Sequence, residues 1–184
     1  MAKRSSGAQT WNDALRPVNR SLRAVTPVVA TLLAGCDTLH AVANGVIHPM
    51  TPQQSRSRVV DAATEVSHLI ARPVKSAMFW HSLCSDHDQG PFRGDVTIAY
   101  QPSADHRTAA AEFDDMTQRL RRGGWSSGSD FISHATTSEN GGVDAALSPA
   151  DASVAVVVIE LYGECRDATT TTATKGDGEP LQLS

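Results

Sequence analysis

One stretch divides this chain, the apolar run from Ala24 to Gly35 that ends at Cys36. Upstream of it stand Lys3, Arg4, Arg16, Arg20 and Arg23 against a single acid, Asp13. A basic region, a short apolar region and small residues before a break make a secretory signal. The run is about 12 residues long, whereas a helix that spans a bilayer takes about 20. Pro27 inside it also works against a membrane helix. The run therefore reads as the apolar part of a leader, residues 1–35, and the folded part is expected downstream.

The ending Leu33-Ala34-Gly35-Cys36 resembles the bacterial lipobox, in which the cysteine thiol is diacylglycerylated and the peptide bond before it is cut. By that resemblance Cys36 is the lipidated first residue of the mature chain. The plainer alternative is an ordinary secretory signal with an incidental cysteine. Two acyl chains hold a protein stably at a membrane, where one chain binds only marginally. The place this implies is the cell membrane, with the protein lipid-anchored on the extracytoplasmic face. Arg121-Arg122 lies far downstream, and no twin-arginine pair precedes the run, which points to export before folding.

From Cys36 onward there are 11 Lys and Arg against 19 Asp and Glu, a formal charge of −8. That balance disfavours nucleic acid and anionic lipid, which need a basic patch. The remaining 149 residues suffice for one domain with a real core. Aromatic residues, at 5%, are too sparse to expect a stacking platform for sugars or bases. Besides Cys36 there are Cys84 and Cys165, and an even pair in an exported domain most often forms a disulfide. Closing a loop of about 80 residues would stabilise the fold by roughly 4 kcal/mol. Two free thiols, one of them catalytic, is the competing reading.

Residues 36–50 read as a tether of small and polar residues that spans at most about 50 Å when extended. Thr51-Pro52 is a helix start, a hydroxyl cap followed by proline. Val59, Ala63, Val66 and Ile70 then form one helical stripe that Pro73 closes. Val74 to Leu83 suits a strand, Cys84 to Arg93 a loop through Gly90-Pro91, and Gly94 to Tyr100 alternates as a second strand. Ala109, Phe113, Met116 and Leu120 mark a second amphipathic helix, capped by Asp105 and ended by Gly123-Gly124. Strands are expected at Phe131 to Thr136, Val143 to Leu147 and Ser153 to Tyr162, with Asn140-Gly141-Gly142 as a hairpin turn. The order α-β-β-α-β-β-β predicts an α+β two-layer sandwich, two helices on one face of a mostly antiparallel sheet. Residues 51–166 form that domain. Residues 167–184, with Thr169 to Thr172, carry too few apolar groups to fold and read as a disordered tail open to O-linked sugar.

Candidate chemistry is thin. His81, Cys84, Asp86, His87 and Asp88 form the densest cluster of metal-ligand types, and zinc would need three or four of them converging. An oxidised Cys84 could not serve, and Asp86-x-Asp88-x-Gly90 opens like a calcium loop without its closing acid. A polar loop beside a disulfide is the favoured reading, so no metal is expected. Gly124-Trp125-Ser126-Ser127-Gly128 meets the nucleophile-elbow pattern at Ser126, yet it follows a helix instead of linking a strand to one. No phosphate loop or dinucleotide fingerprint occurs, and no cofactor is expected.

Taken with the lipobox, the Cys84-Ser85-Asp86 loop, the run Gly94-Asp95-Val96-Thr97-Ile98, Gly124-Trp125 and Gly163-Glu164-Cys165 give the chain a family likeness. It resembles small mycobacterial lipoproteins of the Lpp type, LppJ-like ones in particular. The resemblance implies an actinobacterial cell-envelope lipoprotein, Cys36 as its lipid site and Cys84 paired with Cys165. It implies no catalytic residue. The expectation is a non-enzymatic module for a small apolar ligand or an envelope protein, with an apolar pocket between helices and sheet. The alternative is an envelope hydrolase or metal-binding protein using Ser126 or the loop from His81 to Asp88.

Overall fold

The computed structural model describes residues 45–85, 90–102, 106–128, 135–149 and 156–183, all within the compact unit 32–184. The leader, Cys36 and the first part of the expected tether lie outside these residues.

Helix α1, Pro52–Ile70, begins with a reciprocal cap: the Thr51 hydroxyl accepts from the Gln54 N–H at 3.2 Å, and the Thr51 N–H donates to the Gln54 side chain at 2.9 Å. Ser55, Val59, Ala63, Val66 and Ile70 form its buried stripe. Ala71, at φ 53°, takes the left-handed conformation that ends it. Strands β1 (Val74–Leu83) and β2 (Phe92–Tyr100) pair antiparallel, with Phe79 opposite Val96. Helix α2, His106–Arg122, closes with paired backbone bonds, Trp125 N–H to the Leu120 carbonyl and Gly124 N–H to the Arg121 carbonyl. Gly124 supplies the positive φ, 96°, that this ending requires. Gly123 lets α2 approach α1, since a Cβ there would stand 2.3 Å from the Leu69 side chain.

Strands β3 (Ser126–Ser127), β4 (Thr136–Asn140), β5 (Val143–Ser148), β6 (Val157–Tyr162) and β7 (Glu179–Pro180) complete an antiparallel sheet in the order β3-β4-β5-β6-β2-β1-β7. The β4–β5 turn is made by Gly141 and Gly142, both at positive φ, as the hairpin signal predicts. The architecture is the expected two-layer α+β sandwich, helices on one face, with two short edge strands added. Phe131 to His134 and Ser153 to Ala155, parts of two of the expected strands, lie outside the described residues.

The interface between α1 and the sheet is filled. Val59, Val66, Ile70, Val96, Ile98 and Leu161 are each 0% exposed. Gly94 permits the close fit, because a Cβ there would meet the Val59 side chain at 2.9 Å. Between α1 and the sheet, the described side chains leave no room for a ligand. Among the described residues, grooves of about 270 Å³ and about 210 Å³ lie along β1 and the C-terminal segment, and between α1 and the β4–β5 hairpin.

Residues 167–183 are not a free tail. Ala168 and Thr170 are buried, Leu181 and Leu183 pack on the core, and β7 pairs with Met78 and Phe79 of β1. Arg56 on α1 grips Glu179 with bonds of 3.1 and 2.6 Å. The segment has few apolar residues of its own, but the domain already offers an apolar surface for them to complete. The expected tether is shortened for the same reason. Val46 packs against Ala168, and the Met50 N–H donates to the Arg166 carbonyl at 2.8 Å.

Candidate functional site

Strand alternation sends Phe92, Gly94, Val96, Ile98 and Tyr100 of β2 toward the helices and Arg93, Asp95 and Thr97 to the opposite face. On that face, free of helices among the described residues, the register sets Trp80, Asp95, Tyr162 and Asp144 side by side across β1, β2, β6 and β5. Neighbours in such a row touch directly. Arg93 places its Nε 3.0 Å from Asp95 Oδ1, and its guanidinium lies over the Tyr162 ring at 4.6 Å. Ser82, opposite Arg93, donates its hydroxyl to Asp95 Oδ2.

Asp95 is 4% exposed. Burial raises its carboxyl to about 6, against the opposing pull of Arg93 and Ser82, and the charge of Glu160 adds to the rise. Burial also raises the Tyr162 phenol, which hydrogen-bonds Glu160. A buried carboxyl that titrates near neutrality, beside an arginine and two aromatic rings, marks this face as the candidate site. In the sequence Asp95 reads as an ordinary outward residue of a half-exposed strand, so its burial gives no signal there.

A second polar node sits at the end of the sheet where the tether joins. Asp167, fully buried, accepts from the Thr169 N–H, the Thr170 N–H and both threonine hydroxyls. Its backbone exchanges bonds of 2.7 and 3.0 Å with Phe92. His81 Nδ1 lies 3.9 Å from the same carboxylate, and burial lowers the His81 pKa against that pull. The sequence Asp167-x-Thr169-Thr170 carries a legible signal for this turn, an aspartate whose side chain captures the amides that follow it.

Cys84 and Cys165 are disulfide-bonded with Cα atoms 5.9 Å apart, across the start of β2. That removes the free-thiol reading and takes Cys84 out of any metal set. His81 belongs to β1 and faces Asp167, while Asp86, His87 and Asp88 lie outside the described residues. Among the described residues no group of three or more His, Cys, Asp or Glu could hold a metal ion. Ser126 stands exposed on β3, an edge strand after α2, and donates its hydroxyl to the Glu139 carbonyl at 3.2 Å. The strand-to-helix turn of a nucleophile elbow is therefore missing at Ser126. No helix among the described residues is long and apolar enough to cross a membrane.

Fold and site together define a disulfide-closed, two-layer α+β domain with a polar, partly buried cluster on its helix-free face. The chain belongs to the family described as "Putative lipoprotein LppJ", whose model matches residues 51–183. It is similar to the protein "Putative lipoprotein LppJ" of Mycobacterium bovis, 29% identical over 87% of this chain and 88% of the relative. The protein of the same name from Mycobacterium tuberculosis is 28% identical over the same shares. No solved structure matches the chain. The family match begins at the cap of α1 and runs through the C-terminal strap.

Proposed function

We propose that this chain is a non-enzymatic binding module, anchored by lipid at Cys36 on the extracytoplasmic face, that engages an envelope protein through the helix-free face of its sheet. The observation that carries the reading is Asp95, a buried carboxyl next to Arg93 and Tyr162 on that face. Half-buried Trp80 and Tyr162 add the aromatic and arginine character typical of binding hot spots. Of the two occupants expected from sequence, a protein fits better than a small apolar ligand, because the described interface between α1 and the sheet is filled and the candidate face is polar. The family description supports the lipoprotein part. The hydrolase and metal readings gain no support from Ser126 or Cys84, whose hydroxyl and sulfur are already engaged.

The test is a native mass spectrum of the chain extracted from membranes in mild detergent. The expected mass begins at Cys36 with diacylglycerol added and two hydrogens missing, together with a bound protein that leaves on activation. Arg93→Ala and Tyr162→Ala should abolish the bound species and leave the anchor in place. A chain that begins elsewhere without lipid refutes the anchor, and a complex that survives both substitutions refutes the assigned face.

A further inference from the structure

We propose that the domain rests with its tether end against the lipid surface, Ile47 inserted among the headgroups. The inference builds on the lipid anchor at Cys36 and adds an orientation and a contact residue. Ile47 is 77% exposed, and among the described residues no other large apolar side chain is exposed. It is not on a loose segment. Val46 before it is buried against Ala168, and the His48 carbonyl after it accepts from Arg166 Nε at 2.6 Å. Met50 is tied to Arg166 and bridged to Asp167. Ile47 is thus held outward by packing on one side and hydrogen bonds on the other, and those bonds go to Arg166, next to the disulfide's Cys165.

The length of chain to the anchor supplies the occupant. Nine steps from Cys36 to Gly45 reach at most about 32 Å. Helix α1, at 19 residues, is about 28 Å long by itself. The tether therefore keeps its point of attachment within about one domain length of the lipid. The same end carries Cys84, Cys165, the β4–β5 hairpin and the start of α1. Arg58 and Arg166 at this end share Glu164, and the chain from Cys36 onward carries a formal charge of −8, so the contact is assigned to the apolar side chain and not to attraction by anionic lipid. One isoleucine would not bind a bilayer alone, but the anchor supplies the affinity and Ile47 the orientation.

The experiment uses the full lipidated chain in phosphatidylcholine vesicles, with an environment-sensitive fluorophore on Ile47→Cys or, as control, on Lys75→Cys. Lys75 is exposed and lies nine residues back along β1 from Cys84, about 30 Å away. Flotation with the vesicles is read alongside quenching by brominated acyl chains. The expected result is flotation of both labelled chains, with quenching at 47 several-fold stronger than at 75 and unchanged by high salt. Flotation with equal quenching overturns the orientation and leaves the anchor standing. Failure to float overturns both.

Discussion

At Asp95 a carboxyl group is shut away from water beside one guanidinium, and its titration follows from that contest. Its value in the fold is about 6 against an ordinary 3.8, so between those values the folded chain keeps a proton that the unfolded chain has released. Stability therefore rises as pH falls from about 6 toward about 4, by about 2–3 kcal/mol from this group. His81 works the other way. Its lowered pKa means that acid below its ordinary 6.5 favours the unfolded chain. The two slopes oppose each other in the native protein. Asp95→Asn should remove the first and expose the second, so that the variant loses stability on acidification more steeply than the native chain; urea unfolding at several pH values reads this. Asp167 makes a different prediction. Asp167→Ala strands two amides and two hydroxyls in a buried turn. The expected loss is about 2–4 kcal/mol in the urea midpoint at neutral pH, with Asp167→Asn losing less.

Among the elements, β7 is the one whose role exceeds its size. Two residues of strand, a salt bridge to Arg56 and the partly buried Leu181 and Leu183 close the β1 edge of the sheet. An open strand edge is a template for pairing with another chain. A chain ending at Asp177 should be less stable by roughly 2 kcal/mol, the worth of the apolar area uncovered. It should also self-associate, as a concentration-dependent shift in gel filtration would show. An unchanged monomer would mean that β1 does not need the cover. The helices were the most legible elements, because Val59, Ala63, Val66 and Ile70 announce a buried face by spacing alone and all four are buried. β3 and β7 were illegible, being two residues each, Ser-Ser and Glu-Pro, that become strands only because a longer strand is there to pair with.

Across the whole molecule the disulfide joins residues 81 apart, the end of β1 to the segment after β6. Cys84→Ser with Cys165→Ser should lower stability by up to about 4 kcal/mol, and a reducing agent should do the same to the native chain. Calorimetry with and without reductant would check this; an unchanged transition would mean the bond adds nothing to the fold. By itself the sequence determined the two-layer class, the helices, the central strands and the Gly141-Gly142 hairpin turn, because periodicity and local backbone preference act over a few residues. The family likeness was legible in the same way, in short motifs around Cys84, Gly94, Gly124 and Cys165. Only the tertiary structure decided that residues 167–183 fold, that the tether is bound from Val46 onward, and that Asp95 is buried. Each of these depends on a surface assembled from distant parts of the chain. Asp95 is covered by residues of β1, β2 and β6, and the strap by a core it does not itself build. Burial and its effect on a carboxyl's charge are properties of that assembled surface, and no window of sequence contains them.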